Sequence, residues 1–385
     1  MLKKLINMGP ETISETYGPQ IYDMYQDFFI IGGGFFPVLA KHNDNIYCFC
    51  RTNAGHLGRF GEITIMISTN GLDWYEKGII KKENSDIRNP SVFILPNGEI
   101  LVSAYKYNVY NEAGFSSPKK LSSPENLEPL LFFSKDNGET WKQKQHAFDN
   151  IYTEIDQFSP HGQMLFYKEK LLMPVYNKLG AFLLSSTNEG ENWEIFSHIA
   201  KNTHEPSVVV TPNNNLTAVL RTAPGDQRGR LSLISHYINN EWTTPTAITE
   251  PMQFPASLLT LSNNQILLTY SDRNIEHQRI LAKLSSDNGQ TWGPSVQISE
   301  TFQNCDFGYP STIEIAEGNL LTTFYANLIQ NPRFHFKNLD FYNSAEAIGY
   351  YCSYSLKELQ KSMTKINSRA ANLAPVYTEI HQKIN

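Results

Sequence analysis

Ser134-Lys-Asp136-Asn-Gly138-Glu-Thr-Trp141 is a turn sequence, and the chain repeats it. Ser186-Thr-Asn188-Glu-Gly190-Glu-Asn-Trp193 and Ser285-Ser-Asp287-Asn-Gly289-Gln-Thr-Trp292 keep the same order, and Ser68-Thr-Asn70-Gly71-Leu-Asp-Trp74 is one residue shorter. Ser235 to Trp242 keeps the spacing but lacks the Gly. The chemistry is that of a hairpin turn: an Asp or Asn side chain bonds to backbone a few residues on, and Gly supplies a positive φ. The Trp then closes the turn against its own sheet. The tryptophans follow one another at intervals of 67, 52, 49 and 50 residues, a spacing that unrelated turns do not produce.

A second repeat lies between these turns: an X-Pro pair, a β-rich run, a polar turn, and a second β-rich run ending in Tyr or Arg. Its six copies are Phe36-Pro37 to Arg51, Asn89-Pro90 to Tyr105, Ser159-Pro160 to Tyr176, Glu205-Pro206 to Arg221, Phe254-Pro255 to Arg273, and Tyr309-Pro310 to Tyr325. Proline is tolerated at the first residue of a strand because it has no N–H to leave unpaired, and Pro96-Asn97-Gly98 punctuates a hairpin. Each unit therefore opens with a hairpin, and the Ser…Trp turn joins its next two strands. Four strands in about 50 residues is the blade of a β-propeller. The expectation is an all-β, six-bladed propeller with four-stranded antiparallel blades spanning residues 24–355. An N-terminal arm covers 1–23 and a helical tail 356–385. Within that tail Leu356, Leu359, Met363 and Ile366 stand at helical spacing, predicting a helix over 356–372. Lys106–Pro129 and Gln330–Glu346 read as long loops projecting from the ring.

The 385 residues would ordinarily suggest two to three domains at roughly 150 residues each; the repeats reduce them to one ring. A 41% apolar, 12% aromatic and 18% charged composition is globular, and a formal charge of −6 argues against general binding to nucleic-acid backbones or anionic membrane. No apolar stretch is long enough to span a bilayer, and Met1–Met8 has no secretory signal, so the expectation is a soluble, cytoplasmic protein with no membrane partner. Cys48, Cys50, Cys305 and Cys352 are too few for a disulfide framework. Cys48 and Cys50 share one strand face with no third ligand evident, and neither a metal nor a cofactor is expected. Gly32-Gly-Gly34 lacks the Lys-Ser/Thr and helix of a phosphate cradle.

The Ser-x-Asp-x-Gly-x-Thr-Trp copies resemble the Asp-box repeats of the sialidase superfamily, over roughly Phe36 to Tyr354. Such boxes lie on the periphery, so function is sought on the axis, where residues before each proline and at the end of each second strand converge. These are Arg51, Arg88, His161, Glu205, Arg221, Arg273, Tyr309 and Tyr325. The resemblance implies a glycosidase in which arginines clamp a sugar carboxylate, a Tyr attacks, a Glu activates it, and an acid protonates the leaving group. It puts Tyr309 in Gly308-Tyr309-Pro-Ser-Thr as nucleophile and Glu205 in Glu205-Pro-Ser-Val-Val-Val as its partner. Arg221 and Arg273 then form the clamp, with Arg51, Arg88, His161 and Tyr325 as further binding residues. The family's Arg-Ile-Pro motif falls on Phe35-Phe36-Pro37, so the first clamp arginine is absent there, and His56, Asp156 or Asp306 takes the acid/base role. The expected partner is a carbohydrate bearing a terminal, acidic sugar; no oligomeric state is implied. The rival expectations are a noncatalytic carbohydrate-binding propeller and a protein-interaction scaffold.

Overall fold

The computed structural model describes residues 28–366 except 33, 57, 108, 111–126, 152–154, 156, 304 and 328–346. The expected N-terminal arm, the Gln330–Glu346 loop, most of Lys106–Pro129, Asp156 and the tail beyond 366 lie outside the described residues.

Six antiparallel sheets form in chain order, each led by the strand that carries the X-Pro pair. Their innermost strands are Phe35–His42, Ile87–Ile94, the segment from Ser159–Pro160 to Leu165–Tyr167, Thr203–Val210, Gln253–Thr260 and Asp306–Ala316. In blades 1, 2, 4, 5 and 6 the inner strand pairs with the second strand through a slip in register at the proline. At Phe36, Asn89, Glu205 and Tyr309, each directly before its proline, φ is positive at 48–57°. A left-handed conformation is costly for a side-chain-bearing residue, and more so before proline. The extra residue of the bulge turns those four side chains out of the pleat and toward the axis.

Blade 3 departs from the pattern. Its Gly162–Gln163 runs parallel to Ser91–Val92 of blade 2, so the inner strand crosses between two sheets before returning as Leu165–Tyr167. Side chains tie other seams: Ser311 Oγ accepts the Leu39 N–H at 3.0 Å, and Ser207 Oγ accepts that of Leu258 at 3.1 Å.

The ring closes in blade 6. Its inner strands Asp306–Ala316, Asn319–Asn327 and Ala347–Ser355 are completed on the outside by Phe28–Gly32 from the other end of the described chain. Apolar clusters fill the gaps between blades, Leu39, Cys48 and Cys50 of blade 1 meeting Ile313, Leu321 and Tyr351 of blade 6. The helix at 356–366 starts with a capping box, Glu358 N–H on Ser355 Oγ and Ser355 N–H on Glu358 Oε2, both 3.2 Å. Leu356, Leu359 and Met363 pack it onto Leu320 and Tyr354.

The turns between third and fourth strands follow the sequence reading at four of five copies. Ser134 Oγ donates to Asp136 Oδ1 and accepts from Gly138 N–H, Asp136 accepts from Thr140 N–H, and Trp141 Nε1 donates to the Gly138 carbonyl, all within 2.7–3.0 Å. The 285–292 copy repeats these bonds, and Ser186 and Ser68 bond Gly190 and Gly71 in the same way. The fifth copy differs. Between Ser232–Ile238 and Glu241–Trp242 the chain reverses at Asn239-Asn240, both at positive φ, so Trp242 pairs with Tyr237 in a two-residue hairpin. Without its Gly, that segment cannot form the longer serine-braced turn.

Candidate functional site

At the end of the axis where the prolines lie, three clusters of charge meet around two phenylalanines. The first is built on Glu205. Tyr309 donates its hydroxyl to Glu205 Oε1 at 2.6 Å, and Arg221 Nη1 donates to the same oxygen at 2.8 Å. Glu205 is buried and its Oε2 has no partner. Burial alone would raise the Glu205 carboxyl, but Arg221, His161 and the Tyr309 hydroxyl outweigh it and hold it below the ordinary range. Burial and the Glu205 charge push the Tyr309 phenol well above its usual value. The pair therefore rests as carboxylate and neutral phenol. His161 donates Nδ1–H to the Pro206 carbonyl at 3.2 Å, its ring 6.0 Å from that of Tyr309, and burial lowers its pKa.

The second cluster is built on Asp306. Its Oδ1 accepts from Arg273 Nη2 at 3.1 Å and from the Tyr325 hydroxyl at 3.0 Å, while Oδ2 meets His56 Nδ1. Against the desolvation cost, His56, Arg273 and Tyr325 hold Asp306 far below the ordinary range. Phe254 joins the two clusters: the Arg221 and Arg273 guanidiniums lie 5.5 and 5.2 Å from its ring centre.

The third cluster is built on Asp86, fully buried. Arg51 reaches Asp86 Oδ1 through Nε at 2.9 Å and Nη2 at 2.7 Å, Arg88 Nη1 lies 3.4 Å from Oδ2, and the Tyr110 hydroxyl donates to Oδ2. Phe36 stands where the three clusters meet. Its ring centre is 4.9 Å from Tyr309, 5.2 Å from His56 and 5.4 Å from Tyr325, with the Arg88 guanidinium 5.5 Å away.

The structure thus brings Glu205, Tyr309, Arg221, Arg273, His161, His56, Asp306 and Tyr325 together, with Arg88 beside them behind Phe36. Arg51 is placed elsewhere. It is 0% exposed, and its remaining donors face the carbonyls of Ala54, Gly55 and Gly58, so it presents nothing to a ligand. Phe35, standing at the first clamp position, is likewise buried, against His56 and Tyr325. Sequence reasoning passed over Asp86 and Phe254. Asp86 stands two residues before Arg88 on one strand, a spacing that puts both on one face. With the buried Arg51–Asp86 pair set aside, the guanidiniums of Arg88, Arg221 and Arg273 stand against the carboxylates of Glu205 and Asp306, an excess of positive charge that suits an anionic ligand.

Phe36, Asn89, His161 and Tyr309 also line a cavity, together with Val38, Gln163, Ser207, Leu258 and Ser311. Among the described residues no group of three His, Cys, Asp or Glu side chains is arranged to hold a metal ion. Cys48 and Cys50 are buried, their sulfurs 3.4 Å apart.

A six-bladed ring of four-stranded blades with serine-braced outer turns defines a β-propeller protein of the BNR-repeat type. Residues 39–321 match the BNR repeat-like domain family, and the chain belongs to it. No curated protein matches the sequence. Among solved structures, a protein of unknown function from Dyadobacter fermentans shares 19% identity and a TM-score of 0.69 over 86% of this chain and 98% of its own. A Hadza microbial sialidase shares 17% identity over 85% and 68% of the two chains, with a TM-score of 0.62. An α-L-arabinofuranosidase from Fusarium graminearum shares 15% identity over 87% and 98%, with a TM-score of 0.54. These likenesses establish the fold.

Proposed function

We propose that the protein hydrolyses a terminal glycoside of an acidic sugar with retention, by a Tyr–Glu nucleophile pair. The observation that carries this reading is the Arg221–Glu205–Tyr309 relay, two hydrogen bonds converging on one carboxylate oxygen. Tyr309 Oη bonds to the anomeric carbon while its proton passes to Glu205 Oε1. The phenol is too weak an acid to ionise beforehand, so proton transfer accompanies attack. A neutral nucleophile avoids the repulsion that a carboxylate would meet at an anionic sugar. The glycosidic oxygen leaves with a proton from His56, whose other nitrogen is held by Asp306. Water then attacks the anomeric carbon and gives a proton back to His56, the bond to Tyr309 breaks, and Glu205 returns the phenolic proton. Arg221 and Arg273, spread over Phe254, hold the sugar's anionic group.

Aryl glycosides of sialic acid, other nonulosonic acids, uronic acids and neutral sugars test the reading. Release of the phenol from one acidic glycoside supports it; silence across the panel at high enzyme and long incubation rejects it. A noncatalytic carbohydrate-binding propeller is the second reading, favoured by Phe35 at the clamp position and by Arg51 being fully engaged within the fold. It predicts calorimetric affinity for an acidic glycan without turnover.

A further inference from the structure

We propose that Asp86, with Arg51 and Tyr110, is a positioning unit that fixes His56 against Asp306. His56 lies in the segment 53–61, between the second and third strands of blade 1, where no regular ladder holds it. That segment is folded around one buried ion pair. Arg51 Nη1 donates to the carbonyls of Ala54 and Gly55, and Nη2 to that of Gly58 at 3.1 Å, so one guanidinium gathers carbonyls on both sides of His56. Asp86, from the start of blade 2, pins the guanidinium by two further bonds. Tyr110 closes the arrangement: its hydroxyl accepts the Gly58 N–H at 3.0 Å and donates to Asp86. Gly61 fits the ion pair so closely that an added Cβ would lie 2.1 Å from Asp86 Oδ1 and 2.6 Å from Arg51 Nε. The Gly61 carbonyl then accepts the Ile87 N–H at 2.8 Å, binding the end of the segment to blade 2.

A buried pair this fully bonded orients more than it stabilises, because its desolvation cost offsets much of its attraction. Blade 2 would thus set the position of a proton donor carried by blade 1, whose partner Asp306 belongs to blade 6. Small displacements of a proton donor are costly to turnover, and a positioning residue acts by preventing them.

The consequence for catalysis rests on the glycosidase reading; the placement of His56 does not. Tyr110→Phe removes the brace without stranding a buried charge, and Gly61→Ala pushes on the ion pair while leaving both partners in place. In protein labelled with ¹⁵N-histidine, the His56 ring nitrogens, assigned by their loss in His56→Gln, report the bond to Asp306. Shifted His56 signals in both variants, with melting that remains cooperative, support the inference. Unchanged His56 signals in both folded variants overturn it. If the wild type hydrolyses an acidic glycoside, kcat in these variants falls on the order of tenfold to a hundredfold, with KM within about twofold. A wild type silent on every glycoside sinks the glycosidase reading and leaves the ring-nitrogen measurement to decide the positioning role.

Discussion

Tyr309 and Glu205 come from blades 6 and 4, 104 residues apart, and meet in a 2.6 Å hydrogen bond at the axis. Both sit at positive φ directly before a proline, so the bulge that strains each inner strand is also what aims each side chain at the other. Tyr309→Phe keeps the ring contacts with Phe36 and removes only the hydroxyl. Turnover of the cleaved glycoside is expected to fall at least ~100-fold in a variant that still folds cooperatively. Full activity in that variant would remove Tyr309 from the chemistry.

Phe254→Leu tests the clamp without touching a charge. Each guanidinium stacked on Phe254 gains about 0.5–2 kcal/mol from the ring. Its loss is expected to raise KM for an anionic glycoside roughly tenfold while kcat changes less. Steady-state kinetics give both constants, and an unaltered KM would show that Arg221 and Arg273 do not share a ligand.

Acid should weaken the fold over two pH windows. His161 has a lowered pKa in the fold, so below its ordinary value of about 6.5 the unfolded chain takes up the proton more readily and stability falls. Glu205 and Asp306 are lowered carboxylates; their contribution is complete above about pH 5, clear of their ordinary values, and is lost as pH falls toward their folded values. Melting temperature measured from pH 8 to 3 should decline from about 6.5, then more steeply below about 5. His161→Gln should shrink the first stage and leave the second, and a first stage of full size in that variant would assign it to the half-buried His204 and His236, whose pKa values are also lowered.

The turn chemistry makes a contrast between two outer turns. Gly289 has φ +85° in a serine-braced turn, so Gly289→Ala should cost roughly 1–2 kcal/mol and lower the melting temperature. Asn240 has φ +66° in the two-residue hairpin, and Asn240→Gly should be neutral within about 0.5 kcal/mol. Equal effects at the two sites would contradict the assignment of different turns.

The propeller was legible because its signals are local. Proline, glycine and the serine–acid pair act within eight residues, and their spacing counts blades without reference to tertiary contacts. Glu205, Arg221, Arg273 and Tyr309 were legible because position in the repeat is position on the axis. Arg51 occupies the same place in its repeat as Arg221, yet faces inward. What distinguishes them is Asp86, 35 residues on, and no pattern within the first blade announces it. The crossing of Gly162–Gln163 into blade 2 depends on a parallel pairing between repeats, which periodicity does not encode. The loss of the fifth braced turn was signalled by the missing Gly, but the hairpin that replaces it rests on two asparagines at positive φ.

Phe28–Gly32 completes blade 6, beside the strand Ala347–Ser355, and this sets the order of assembly during synthesis. The earlier blades are built from neighbouring stretches of chain, whereas the opening strand must wait for the last blade to be made. Until residue 355 has been made, the opening strand has no ladder, and the incomplete ring exposes strand edges of the kind that pair with neighbouring chains. A ribosome stalled late in this message would therefore hold a nearly whole propeller whose opening strand and last blade still present unpaired edges.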